Sequence, residues 1–132
     1  MEVKYEFGYK LDEIGNCLKE WTGYDYNEGF LSLNTQYIIA KIEAEIIGVV
    51  QLSIIADPFW NRRWGLVENV FVKEKYRGNG ISKGMMELVE SQARYVGCEF
   101  VKLTSGFEKN IAHSLYNALG YKEGYSFKKI LK

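Results

Sequence analysis

The sequence predicts a mixed α/β (α+β) domain in which helices cover a central mixed sheet, and three observations carry that prediction. Residues 3–9 alternate apolar and polar side chains at the period of a half-buried strand. Residues 36–55 hold two Ile- and Val-rich runs around a polar step, and residues 66–104 read as strand, amphipathic helix, strand. The last pattern is a right-handed parallel crossover, because parallel neighbours in one sheet need a dozen or more connecting residues.

The elements follow in order. Val3, Tyr5, Phe7 and Tyr9 share one strand face, and Leu11, Ile14, Cys17, Leu18 and Trp21 then recur at helical spacing until Gly23. Residues 24–33 mix aromatic, acidic and Gly residues without a period, the mark of a loop or short helix. Residues 36–44 and 45–55 form an antiparallel hairpin that Asp57-Pro58 ends. A further strand covers residues 66–72, and residues 73–79 connect it to a helix with Ile81, Met85, Leu88, Val89, Gln92 and Val96 on or near one face, stopped by Gly97. Residues 100–104 form a short strand. Asn110 is a good N-cap for a last helix bearing Ile111, Ala112, Leu115, Tyr116 and Leu119, closed by Gly120, and residues 121–131 read as a final strand or hairpin arm.

Length and composition bound the function. With 132 residues, 47% of them apolar, the chain fits one domain over residues 1–132 and buries a core without staples. The 17 basic and 17 acidic side chains cancel, so the positive field that nucleic-acid binding normally uses is missing and no nucleic-acid partner is expected. Two cysteines and one histidine leave little for a disulfide framework or a metal site. No signal-peptide core and no run of about 20 apolar residues is present, so the expectation is a cytoplasmic protein with no membrane partner.

The chemistry concentrates in Arg77-Gly78-Asn79-Gly80-Ile81-Ser82, where strand turns into helix. Glycines permit a tight turn and a close approach of ligand to backbone, and the first amides of a helix are unpaired, so a phosphate fits there. Any crossover also benefits from Gly. The dinucleotide fingerprint fails, since Gly84 comes one position late, and no Gly-Lys-Ser/Thr follows for a P-loop.

With an apolar Val70-Phe71-Val72 before it, the pattern Arg77-x-x-Gly80-x-Ser82 resembles the acetyl-CoA pyrophosphate loop of the GCN5-related N-acetyltransferases, the GNAT superfamily. Ser82 departs from the Gly/Ala of that pattern but is still small. Asn110, Tyr116 and Gly120-Tyr121 resemble the family's second signature, in the right order. The resemblance is good from about residue 49 onward and rests on element order before that. Residues 67–70 look similar to glucosamine-phosphate N-acetyltransferases, whereas residues 103–116 and 125–129 look closer to small aminoalkylphosphonate-type enzymes.

The resemblance implies a GNAT fold, a largely antiparallel twisted sheet whose parallel strand pair splays at the cofactor site. It also implies transfer of an acetyl group from acetyl-CoA to a primary amine of a small molecule by direct attack in a ternary complex, with no metal. In that reading Val70, Phe71, Val72, Arg77, Gly78, Asn79, Gly80, Ile81, Ser82 and Asn110 hold the cosubstrate. Tyr116 protonates the departing thiolate, and Glu68 takes the ammonium proton directly or through water. Each has a plainer alternative: Tyr116 as a core aromatic, Glu68 as a strand carboxylate paired with Arg62, Arg63 or a lysine, Asn110 as a helix cap. Tyr24, Tyr26, Trp60 and Trp64 offer an aromatic wall for the acceptor, and Asp25, Glu28 or Asp57 attract its ammonium group, although loop aromatics also serve as packing anchors. His113 is more often structural or solvated in such a place. A homodimer is plausible by analogy. The rival reading is a non-catalytic acyl-CoA sensor or partner-binding module on the same fold.

Overall fold

A computed structural model describes residues 2–7, 11–25, 34–104, 110–124 and 126–132, apart from the side chains of residues 110 and 111. Its five strands lie in the order β1 (Lys4–Phe7), β2 (Thr35–Ile42), β3 (Glu45–Asp57), β4 (Arg62–Val72) and β5 (Cys98–Leu103). The first three pairings are antiparallel, and β4–β5 is parallel. Among the described residues three α-helices accompany the sheet: α1 (Leu11–Thr22), α2 (Ile81–Tyr95) and α3 (Asn110–Ala118).

Strand alternation divides the core in two. Ile38, Ala40, Val50, Leu52 and Val67 join Ile81, Met85, Met86 and Val89 of α2, while Tyr37, Ile39 and Val49 join Ile14 of α1, with Leu18 and Trp21 packed against them. Because successive strand residues face opposite ways, α1 and α2 cover opposite faces of the sheet. Fully burying one such aliphatic side chain contributes about 1.5–3 kcal/mol, so the two clusters hold the helices firmly. Helix α2 also sits tightly on β1: a Cβ at Gly84 would collide with the Tyr5 ring.

The structure differs from the sequence reading at two places. Strand β4 begins at Arg62 and not near residue 66, because Arg62 to Gly65 pair with Asp57 to Ile54 of β3. Charged side chains and a Gly concealed that part of the strand. Residues 121–124 and 126–132 form no strand, and Phe127 and Leu131 are 96% and 91% exposed. Alternation only marks a face to bury; a strand also needs a partner edge, and among the described residues none pairs with this segment. Residues 26–33 of the aperiodic segment lie outside the described residues. None of the described helices is long and apolar enough to cross a membrane.

Candidate active site

The site begins with an irregularity in β4. Gln51 pairs with Glu68 and Val49 with Phe71, so the single residue Val50 faces both Asn69 and Val70, a β-bulge. Asn69 has φ 54°, a left-handed conformation that Asn tolerates better than branched residues do. On the other edge of β4 the ladder with β5 stops at Val67↔Leu103. Strand β5 itself ends at Leu103, so among the described residues Glu68 to Val72 pair with β3 alone.

The loop after β4 leads directly into α2. A 3-10 turn (Glu74–Tyr76) precedes Gly78 and Gly80, which take φ 81° and 74°, values that favour glycine. Asn79 fastens the turn by donating from Nδ2 to the Tyr76 and Arg77 carbonyls, at 3.0 and 3.3 Å. Arg77 donates from Nε to the Val72 carbonyl at 2.9 Å, tying the loop to the strand end. No side chain caps α2, no acid lies in its first turn, and Gly84 N–H reaches the Gly80 carbonyl at 3.1 Å. The amides of Ile81, Ser82 and Lys83 thus precede the first helical bond and are free for an anion. The Ile81 side chain is buried in the core, so this residue offers the site its backbone only.

On the α2 side, Tyr116 is half-buried against the core, with its ring 6.0 Å from that of Tyr121. Burial holds its phenol above the usual tyrosine value, so the hydroxyl stays protonated at neutral pH. Tyr121 instead donates to Glu90 Oε2 at 3.2 Å; burial and the Glu90 charge both push its phenol up. Asn110 opens α3, and its side chain lies outside the described residues.

On the α1 side a polar row crosses three strands. Tyr37 of β2, Gln51 of β3 and Glu68 of β4 are register partners on one sheet face. Gln51 Oε1 accepts from Tyr37 Oη at 3.2 Å and from Asn69 Nδ2 at 3.0 Å. Beside this row lies a groove of about 230 Å³ lined by Leu18, Thr22, Tyr24, Asp25, Asn69 and Phe71. Tyr24 and Asp25 are exposed at its rim, and Asp25 pairs with Lys19 at 2.9 Å. Glu28 and Tyr26 lie outside the described residues.

The arginines considered as partners for Glu68 are engaged elsewhere: Arg62 lies 3.7 Å from Asp57, and Arg63 donates to the Val96 carbonyl at 3.2 Å. Trp64 stands apart from the groove, stacked on Phe100 at 5.6 Å with Lys102 Nζ 4.8 Å above it. Trp60 lies with Arg62, so the two tryptophans do not join Tyr24 in one wall. A larger groove of about 310 Å³ runs along β5 between α2 and residues 119–122, away from the loop and the bulge. Sequence reasoning missed Tyr37, Gln51 and Asn69. An Asn inside an apolar strand run was the available signal, since Asn is depleted in strands and tolerant of left-handed backbone.

Compared with known proteins, residues 8–121 match the family described as Acetyltransferase (GNAT) family. An aminoglycoside N(6')-acetyltransferase type 1 of Acinetobacter baumannii is 30% identical over 68% of this chain and 58% of its own length. The aminoalkylphosphonate N-acetyltransferase of Salmonella typhimurium is 26% identical over 76% of this chain and 68% of its own. The chain spans little more than half the length of several curated relatives that it matches. Among solved structures, AAC(6')-Iy in complex with the bisubstrate analog CoA-S-monomethyl-acetylneamine superposes with a TM-score of 0.82 at 20% identity, covering 100% of this chain and 99% of that one. At that identity the likeness bears on the fold.

Proposed function

Because the chain belongs to the GNAT acetyltransferase family, we propose that it moves an acetyl group from acetyl-CoA to a primary amine of a small molecule by direct attack in a ternary complex. The observation that carries this reading is the bulged end of β4, unpaired by β5 beyond Val67↔Leu103 among the described residues, next to the uncapped start of α2. A pyrophosphate suits the amides at residues 80–83, and the extended pantetheine arm suits the free edge at Val70, Phe71 and Val72.

The chemistry then follows from the two faces. The acceptor enters over Glu68 and the groove on the α1 side. An alkylammonium with a pKa of about 10.4 must lose its proton before it can attack, and the exposed Glu68 carboxylate takes that proton directly or through water. The amine nitrogen bonds to the thioester carbon, and a backbone N–H of the free edge near Phe71 stabilises the carbonyl oxygen as it gains charge. The C–S bond breaks, and the Tyr116 hydroxyl donates its proton to the departing thiolate. Two free cysteines, Cys17 and Cys98, fit work in a reducing cytoplasm.

The test is a screen of amines with acetyl-CoA, reading free thiol and acetylated product together. Release of thiol in step with an N-acetyl product is the expected result. Tight binding of acetyl-CoA without turnover on any amine would instead favour the sensor reading, and no binding at all would overturn the assignment of the loop.

A further inference from the structure

Among the described residues the Tyr116 hydroxyl has no hydrogen-bond partner, which suits an acid that must give its proton away. The contacts of its ring therefore fix where that hydroxyl stands. Placement matters for rate: a group misplaced by about 1 Å can cost as much as about 10²-fold.

The hold on the ring begins at the end of α3. Gly120 takes φ 90°, its N–H reaches the Asn117 carbonyl at 3.1 Å, and the Tyr121 N–H reaches the Tyr116 carbonyl at 2.9 Å. These two bonds make a Schellman motif, whose characteristic side-chain contact joins the residues at its two ends. The Tyr121 ring accordingly meets the Tyr116 ring edge to face, at 65° and 6.0 Å between centroids. Tyr121 is in turn tied to a different helix, since its hydroxyl donates to Glu90 Oε2 of α2 at 3.2 Å. Glu90 Oε1 lies 3.7 Å from Arg94 one turn further on, so both carboxylate oxygens are engaged. The Glu90 side chain keeps only 24% of its exposure, so a charged group has been drawn partly out of water at this corner. The same corner lines the groove of about 310 Å³ along β5, where it meets open space, so packing alone does not enclose it.

Resting on the reading of Tyr116 as the general acid, we propose that Glu90 is a positioning residue for acetyl transfer. Through the Tyr121 hydroxyl it fastens the end of α3 to α2 and so sets the Tyr116 hydroxyl in place for the departing thiolate. Helix α2 is also the element whose first amides are assigned to the pyrophosphate. One rigid helix then carries both the cosubstrate and the anchor of the acid, and the distance between them is fixed by that helix.

The experiment is a double-mutant cycle with an amine that the wild-type protein acetylates, each variant being checked by thermal melts. Glu90→Leu should lower kcat about tenfold while KM for acetyl-CoA stays within about twofold. Glu90→Gln keeps an acceptor oxygen for Tyr121 and loses the charge, so its kcat should remain within about twofold of wild type. In the Tyr116→Phe background, Glu90→Leu should change kcat by less than about twofold, because the group it positions is gone. An unchanged kcat in folded Glu90→Leu, or equal losses in the two backgrounds, overturns the inference and leaves the acid reading standing. Full turnover by Tyr116→Phe overturns the acid reading and the inference with it. If no amine is turned over, NMR of ring-labelled tyrosine decides. A Tyr116 ring signal that broadens in Glu90→Leu and sharpens again in Glu90→Gln supports the hold, and a signal unchanged in Glu90→Leu overturns it.

Discussion

The two halves of β4 share one partner on one side and differ completely on the other. Residues 62–67 pair with β3 and also with β5, whereas residues 68–72 pair, among the described residues, with β3 alone. In the first half, Trp64 stacks on Phe100 under Lys102, and Val67 is buried in the core. In the second, Asn69 turns left-handed, the bulge inserts an extra residue, and β5 has already ended. A fully paired strand has no backbone groups to offer a ligand; one that leaves the ladder presents donors and acceptors at fixed spacing. The closed half serves stability, and the open half is the one to which the proposed function assigns the chemistry.

The largest expected effect tests the open half through the residue proposed to protonate the leaving group. Tyr116→Phe keeps the ring and removes the hydroxyl, so turnover should fall about 10²–10⁴-fold while acetyl-CoA affinity stays within about twofold. Steady-state kinetics with calorimetry check this. Turnover within about threefold of wild type would make Tyr116 a packing aromatic.

Glu68→Gln comes next, with turnover at neutral pH expected to fall about 10–100-fold. Raising the pH should restore much of that loss, because alkaline solution supplies the neutral amine without a base. Rate against pH for both proteins at saturating acetyl-CoA is the measurement, and parallel profiles would remove Glu68 from the proton route.

Gly80→Val addresses the loop. A β-branched residue in the left-handed region costs about 1–2 kcal/mol, and the local distortion at the start of α2 should weaken acetyl-CoA binding roughly tenfold with the fold retained. Equal affinities in calorimetry would separate the loop from the cosubstrate.

The closed half gives the contrasting outcome. A Cβ at Gly65 would lie 3.0 Å from Leu52 Cδ1 and 3.4 Å from Val101 Cγ2, so Gly65→Ala forces a small repacking between the sheet and its core. The expected cost is about 1 kcal/mol, a fall of a few degrees in Tm, with kcat and KM unchanged. A kinetic defect at unchanged Tm would erase the division between the halves.

The smallest effect belongs to Tyr121. Its phenol is held above the usual value by burial and by Glu90, so the folded state keeps its proton longer than the unfolded chain does. The stability tied to that proton is present at neutral pH and is lost as pH rises above about 10, the unfolded value. Tyr121→Phe should therefore flatten the decline of Tm with alkaline pH. An equally steep decline in the variant would place the sensitivity in other tyrosines.

Much of the fold and part of the site were legible in the chain. Leu11, Ile14, Leu18 and Trp21 at helical spacing, and Ile81, Met85 and Val89 after Gly80, are local patterns, and both helices form where those patterns lie. Residues 121–131 carried a strand pattern yet form no strand among those described, because pattern specifies a face and not the neighbour that must pair with it. Trp64 looked like a partner for Tyr24, but strand register sends it to Phe100.

By itself the sequence determined the order of strands and helices as far as α3 and the glycine turn between β4 and α2, since each depends on the conformational preferences of a few neighbouring residues. It also carried, in Arg77, Gly80, Asn110 and Tyr116, the resemblance to the family that residues 8–121 match. Only the tertiary structure decided that β4 bulges at Asn69, that its pairing with β5 ends at Val67↔Leu103, and that Tyr37, Gln51 and Glu68 form one row. The physical reason is that register is a property of paired strands: it couples residues far apart in the chain through backbone hydrogen bonds. One extra residue in a single strand changes which side chains meet without leaving a distinct mark in the local pattern.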